Sequence, residues 1–216
     1  ETGPAHPRIL KWQEITVNTT LRNLWVGLKA ILVLTLVVGV LHTFVMTGLG
    51  QLVFHDKANG SMLESGGRVV GSSLIGQNFT DDRGRPLPQY FQSRPSAAGD
   101  DGYDGGASGA SNMGPEHPEL VRQVRERRAR VASFNGVAES KVPADALTAS
   151  SSGLDPHISV AYADIQIDRV ARARHMDSDD VRTLVNDHTS ERQFGFLGEP
   201  RVNVLELNAA LDRRKG

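Results

Sequence analysis

Apolar positions divide the chain sharply. From Ala30 to Leu49 the sequence reads AILVLTLVVGVLHTFVMTGL, with no Asp, Glu, Lys or Arg, and apolar character continues to Phe54. A helix of about 20 residues crosses the hydrocarbon core of a bilayer, and the surplus length permits tilt. Trp12 and Trp25 precede the run, the second at interfacial depth. A cleaved signal peptide has a shorter apolar run and a small-residue cleavage pattern, which does not follow here. The pattern predicts one uncleaved membrane-spanning helix over 26–54, a preceding segment 1–25 and a larger domain 55–216. Arg8, Lys11, Arg22 and Lys29 lie before the helix, and Lys57 and Arg68 are the nearest cations after it. That bias predicts a cytoplasmic N-terminus and a domain outside the membrane.

Inside the span, Gly39, Gly48 and Gly50 would let a second helix approach closely. His42 sits near its middle. An ionisable residue at that depth is a functional candidate by default. The plainer alternative is a neutral imidazole bonded to a helix carbonyl or a neighbouring helix.

After the span the periodicity weakens. Short apolar runs predict strands near Val69–Ile75 and Tyr90–Phe91, with a turn at Asp81–Pro86 between them. Residues 93–116 are rich in Gly, Ser and Ala and lack periodicity, as in a functional or disordered loop. A helix is expected from Pro118, with Leu120, Val124, Val131 and Phe134 on one face. Arg122, Arg125, Arg127, Arg128 and Arg130 fill much of the rest. They suit a solvated surface, or alternatively an acidic partner. A short helix follows Pro143, and TASSSGLDPHIS is turn chemistry throughout. One helix is expected over Ser159–Arg174, with Tyr162, Ile165 and Ala173 inward. Another runs over Asp179–His188, capped by Ser178, with Val181, Leu184, Val185 and His188 at helical spacing. The last spans Val204–Asp212, where Asn203 and Glu206 have capping-box spacing. The fold class expected is an α/β (α+β) soluble domain on one N-terminal transmembrane helix.

Composition then removes several chemistries. The chain has 216 residues, 24 basic and 25 acidic side chains and no cysteine. Disulfides, thiolate metal sites and a cysteine nucleophile are excluded, and a near-neutral chain offers no field for nucleic acid. No phosphate-cradling GxxxxGK[ST] loop occurs. DKANG at Asp56–Gly60 lacks the threonines of an aspartyl-phosphate site. DDGYDG at Asp100–Gly105 half-matches a calcium loop but has Ser111 where the bidentate Glu belongs. Ser152, Asp155 and His157 cluster locally without a nucleophile elbow, which reads as a turn. The apolar complement of 55–216 is thin, so its stability is expected to draw on a partner.

Certain words of the sequence are more specific. GSSLIGQNF (71–79), YFQSRPSAAG (90–99), ASGASNMGP (107–115), VPADALTASSSGLDPHIS (142–159), YADIQIDRVARAR (162–174) and GFLGEPRVNVLELNAALD (195–212) occur in order. Together they resemble the C subunit of the Kdp potassium-transporting ATPase. The likeness runs from the membrane helix to Asp212, and the segment before the helix is longer than that family leads one to expect. The resemblance implies a bacterial inner-membrane complex that imports potassium using ATP. Its partners would be a channel-like A subunit, an ATP-hydrolysing P-type B subunit, a small F subunit and membrane lipid. ATP, Mg and potassium would act on those other subunits, and this chain would carry no catalytic residue, cofactor or metal. The family is described both as a catalytic chaperone raising the ATP affinity of the B subunit and as a domain outside the membrane over the A subunit. The charge bias favours the second placement. Candidate contact residues from the shared words are Ser93, Arg94, Pro95, Asn112, Ser151, Ser152, Gly153 and Asp155. Several of these suit turn-shaping equally well, and Arg94 suits an ion pair within the domain. The span itself is represented by Ala30, Gly39, His42 and Leu49. The rival expectation is a stand-alone membrane-anchored binding or sensor module.

Overall fold

A computed structural model describes residues 8–214, with side chains described from Thr19 onward. The expected 1–25 segment therefore lies partly outside the described residues, as does the Trp12 side chain. The chain separates into two compact units, 1–59 and 60–216.

The first unit is helical. Helix α1 covers Arg8–Leu34, a π-helical segment Thr35–Leu41, α2 His42–Val53 and the short α3 His55–Ala58. The stretch Thr19–Val53 is long and apolar enough to cross a membrane, and none of its most apolar window is buried in the protein. That exposure suits lipid, because all backbone groups of a helix are satisfied within it. The predicted span is thus helical, but its middle is wound as π rather than α. Gly39 lies in that segment, and its carbonyl also accepts from Thr43 Oγ1 at 2.8 Å. Ala30 falls in α1, and His42 and Leu49 in α2. The helix carbonyl Gly39 O is thus taken by Thr43, and the His42 side chain makes no hydrogen bond among the described residues.

The second unit mixes helix and sheet. A hairpin of β1 (Met62–Ser65) and β2 (Arg68–Ser72) turns at Gly66 and Gly67, both with positive φ. The strand expected over Val69–Ile75 stops at Ser72, where a turn closes with Ile75 N donating to Ser72 O. Helix α4 (Pro118–Asn135) begins as expected: Pro118 occupies the first turn and His117 accepts from Glu119 N. Its C-terminus is capped by Gly136 in the left-handed region. The short helix expected after Pro143 is a single 3-10 turn, Ala144–Ala146, and another 3-10 turn, Glu139–Lys141, precedes it.

The helix expected over Ser159–Arg174 is broken into α5 (Val160–Asp164) and α6 (Ile167–Arg174). Between them Gln166 N bonds Ala163 O, a tighter i−3 link. The tight turn changes the phase of the second half, so Ala171 is buried and Ala173 is exposed. Helix α7 (Ser178–Asp187) is capped by Asp177, which accepts from Asp179 N at 2.8 Å, while Ser178 Oγ donates to Asp168. Val181, Leu184 and Val185 are buried as their spacing predicts. A three-stranded antiparallel sheet joins β3 (His157–Ser159), β4 (Thr189–Ser190) and β5 (Arg201–Asn203) in the order β3-β5-β4. Helix α8 (Val204–Arg213) follows β5 directly, capped by Asn203, which accepts from Glu206 N at 3.1 Å. The core is built from α6, α7 and α8 against β3 and β5, with Ile167, Val170, Leu207 and Leu211 fully buried.

Tyr90–Phe91 is not a strand. Phe91 is nevertheless wholly buried, and side-chain amides replace the sheet. Phe91 N donates to Asn208 Oδ1 and Asn208 Nδ2 donates to Phe91 O, both at 2.9 Å. Gln166 does the same for Gln92, accepting from its N–H at 2.7 Å and donating to its carbonyl at 3.2 Å. These pairs satisfy backbone groups that burial would otherwise strand.

Candidate functional site

The shared words converge on one loop cluster. Residues 93–109 lie against 148–157, and neither segment carries regular structure except the first residue of β3. Ser96 Oγ is the central knot: it donates to Gly153 O at 2.6 Å and accepts from Ala98 N and Tyr103 N. Ser152 O accepts from Gly109 N and Ser108 Oγ. Gly153 has φ +69, and a Cβ there would meet Gly109 O at 2.6 Å and Ala98 N at 2.8 Å. A glycine is required on both grounds, backbone conformation and close approach.

Arg94 Nη1 donates to Asp155 Oδ2 at 3.0 Å and Nη2 to Thr148 O at 3.3 Å. Its Nε–H is closed off from solvent without a partner. The other Asp155 oxygen accepts from His157 N at 3.0 Å and faces His157 Nδ1 at 3.2 Å. Burial pushes the Asp155 carboxyl up, but the hydrogen bonds from His157 and the Arg94 charge outweigh it and hold the group below its ordinary value. Tyr103 donates to Arg94 O at 2.7 Å, and burial raises its phenol to about 12. Ser93 Oγ donates to Gln77 O at 2.9 Å.

Ser93, Arg94, Pro95, Ser152, Gly153 and Asp155 are thus brought together. Asn112 and Ser151 are exposed and stand outside this network, with Asn112 in the left-handed region at φ +51. The Gly-rich loop is irregular but pinned at both of its faces. The Ser152, Asp155 and His157 group does not form a relay. Ser152 Oγ accepts from Leu154 N and lies 3.4 Å from Ser150 Oγ. Among the described residues no cluster of three or more His, Asp or Glu could hold a metal ion.

Two features were not anticipated from the sequence. The tip of the β4–β5 hairpin exposes Phe194 (86%), Phe196 (70%) and Leu197 (47%). Its neck is closed by reciprocal backbone bonds between Gln193 and Leu197, and Phe194 takes a left-handed φ of +54. The signal was present as two phenylalanines in a glycine-punctuated run, GFLGEP preceded by Phe194. The other feature is a cleft of about 300 Å³ beside Arg94, walled by α4.

Comparison with known proteins adds to this geometry. The family described as "KdpC: K+-transporting ATPase, c chain" matches residues 24–213. A Streptomyces avermitilis protein named "Potassium-transporting ATPase KdpC subunit" is 45% identical over 212 residues, covering 91% of this chain and 96% of its own. Proteins of the same name from Gemmatimonas aurantiaca and Burkholderia mallei are 50% and 54% identical, each over 83% of this chain and over 86% and 90% of their own. By the extent of these matches, the chain belongs to the KdpC family.

Proposed function

We propose that this chain is the non-catalytic C subunit of an ATP-driven potassium import complex in a bacterial inner membrane. One helix anchors it, the N-terminus lies in the cytoplasm, and the 55–216 domain sits outside as a stabilising cap. The family match over 24–213 is the observation that carries this reading. The charge-free run Ala30–Leu49 within the span and the exposed Phe194–Leu197 tip support it, because a large apolar tip on a thin-cored domain fits a partner surface. The channel-like A, P-type B and small F subunits are the partners. ATP, Mg and potassium act on those subunits.

A domain outside the membrane has no access to cytoplasmic nucleotide. Any effect on the ATP affinity of the B subunit then travels through the assembly, by contacts that differ between two of its states. Ser93, Arg94 and Pro95 belong to the contact surface, and Gly153 and Asp155 hold them in place.

The chain has no native cysteine, so a single Arg182→Cys substitution on the exposed face of α7 gives a clean label site. In intact cells an impermeant thiol reagent is expected to modify it from outside. Modification only after the cytoplasmic face is opened would overturn the topology. Affinity purification of the full chain is expected to bring potassium-stimulated ATPase activity with it. Recovery of the chain alone would favour a stand-alone anchored binding module.

A further inference from the structure

The arginine-rich face of α4 has a destination that the reading above does not use. Arg127 and Arg130 line the 300 Å³ cleft together with Arg94, and no Asp or Glu is among its lining residues. The Arg94 charge is balanced by Asp155 behind it. The charges of Arg127 and Arg130 face no carboxylate there. Burial, and then the neighbouring Arg130, push the Arg127 guanidinium down from its ordinary value, as expected for cations held close without a counterion.

The cleft also holds an unused donor. Tyr162 is only 3% exposed and lines the cleft, yet its hydroxyl makes no hydrogen bond among the described residues. Burial raises its pKa, so it remains a neutral donor. Arg94 Nε is the buried side-chain polar atom left without a partner among the described residues, so the Tyr162 hydroxyl opens on the cleft and is free to donate to a group that enters it.

We infer that this cleft receives the carboxylate of an Asp or Glu side chain from a partner subunit, with Tyr162 and Arg130 as the donors that grip it. The inference rests on the proposal that the chain works within a complex. Donor number favours a carboxylate over a phosphate group. Arg127 spends Nη1 on Leu147 O and Nη2 on Gln123, and Arg94 spends its ends on Asp155 and Thr148 O. The Tyr162 hydroxyl and the Arg130 fork remain, which suits two acceptor oxygens rather than three or four. The cleft walls include Pro95, Val131 and Phe134, which would pack against the methylene stem of an acidic side chain.

The test titrates the full chain, in detergent, against the complex purified without it. Arg130→Glu is expected to weaken binding at least about tenfold, Tyr162→Phe less, and Arg130→Lys least. Neither the Arg130 side chain nor the Tyr162 hydroxyl is bonded within the domain, so thermal midpoints should match the parent. Wild-type affinity retained by both Arg130→Glu and Tyr162→Phe overturns the carboxylate inference and leaves the subunit reading intact. Failure of the unmodified chain to bind overturns the subunit reading itself. A parallel titration of the free chain with inorganic phosphate separates the other occupant. Saturable phosphate binding lost in Arg130→Glu, with assembly unchanged, would assign the cleft to a free oxyanion and overturn the inference.

Discussion

Single residues in this domain do their work by closing off backbone. Gly153 is the clearest case, with a left-handed φ and two backbone neighbours inside the space of a Cβ. Gly153→Ala is expected to destabilise the domain by about 2 kcal/mol or more, read by urea unfolding, because neither Gly109 O nor Ala98 N can retreat. Asp155 couples the same cluster to pH. Its folded pKa lies below the unfolded value near 3.8. The stability it contributes is therefore present above that value and is lost as pH falls through the folded pKa. Urea midpoints between about pH 5 and about pH 2.5 should fall less steeply in Asp155→Asn than in the parent. Residue chemistry was partly legible beforehand. Gly153 and Asp155 sit in a run of turn formers, and an internal ion pair for Arg94 was foreseeable. Its partner was not, because 61 positions separate the two residues and periodicity says nothing at that range. Arg169 was hidden for a similar reason. It is 5% exposed, stacks 4.4 Å over Phe134, and bonds Asn135, Gln166 and the carbonyls of Pro88 and Tyr90. In sequence it looks like one more surface arginine of YADIQIDRVARAR.

Elements split between those whose signals are local and those made by neighbours. Helices α4, α7 and α8 were legible because a 3.6-residue apolar period operates within one segment, although the cap of α7 is Asp177 and not the expected Ser178, whose hydroxyl turns to Asp168 instead. The sheet β3-β5-β4 was not, because strands of two or three residues carry no period-2 pattern. The expected strand at Phe91 shows the opposite error. Apolar residues there mark burial, but Asn208 and Gln166 supply the hydrogen bonds that a neighbouring strand would have made. Asn208→Leu is expected to cost about 2–4 kcal/mol, since it leaves a buried N–H and a buried C=O unpaired. Thermal unfolding of the full chain measures it, with Phe91 protection in hydrogen exchange falling alongside. The break between α5 and α6 belongs to the same account. Gln166 has to turn its amide toward residue 92, and an unbroken helix would set a different phase for the residues after it.

At the scale of the whole molecule, each unit leaves apolar surface uncovered. The helical unit offers an uncovered apolar surface from Thr19 to Val53 and a π-wound middle with Gly39 inside it. Helices wound this way recur at functional positions, and His42 follows at once. The domain offers the Phe194–Leu197 tip. Phe194→Ser with Phe196→Ser is expected to leave the thermal midpoint nearly unchanged, since both rings are exposed, while lowering recovery of the assembled complex. Truncating an anchor aromatic at an interface costs about 2 kcal/mol or more. Unchanged assembly would remove the tip from the contact surface. The chain's order along the sequence settled the membrane-length helix, the separate domain, the absence of cysteine chemistry and the family words, because each is written in contiguous residues. Only the folded structure decided that Arg94 and Asp155 meet, that side-chain amides hold Phe91, and that Arg127, Arg130 and Tyr162 enclose one cleft. Those facts depend on which distant segments touch. In an irregular loop cluster it is hydrogen-bond closure between segments, rather than any repeating pattern along one of them, that fixes the contact.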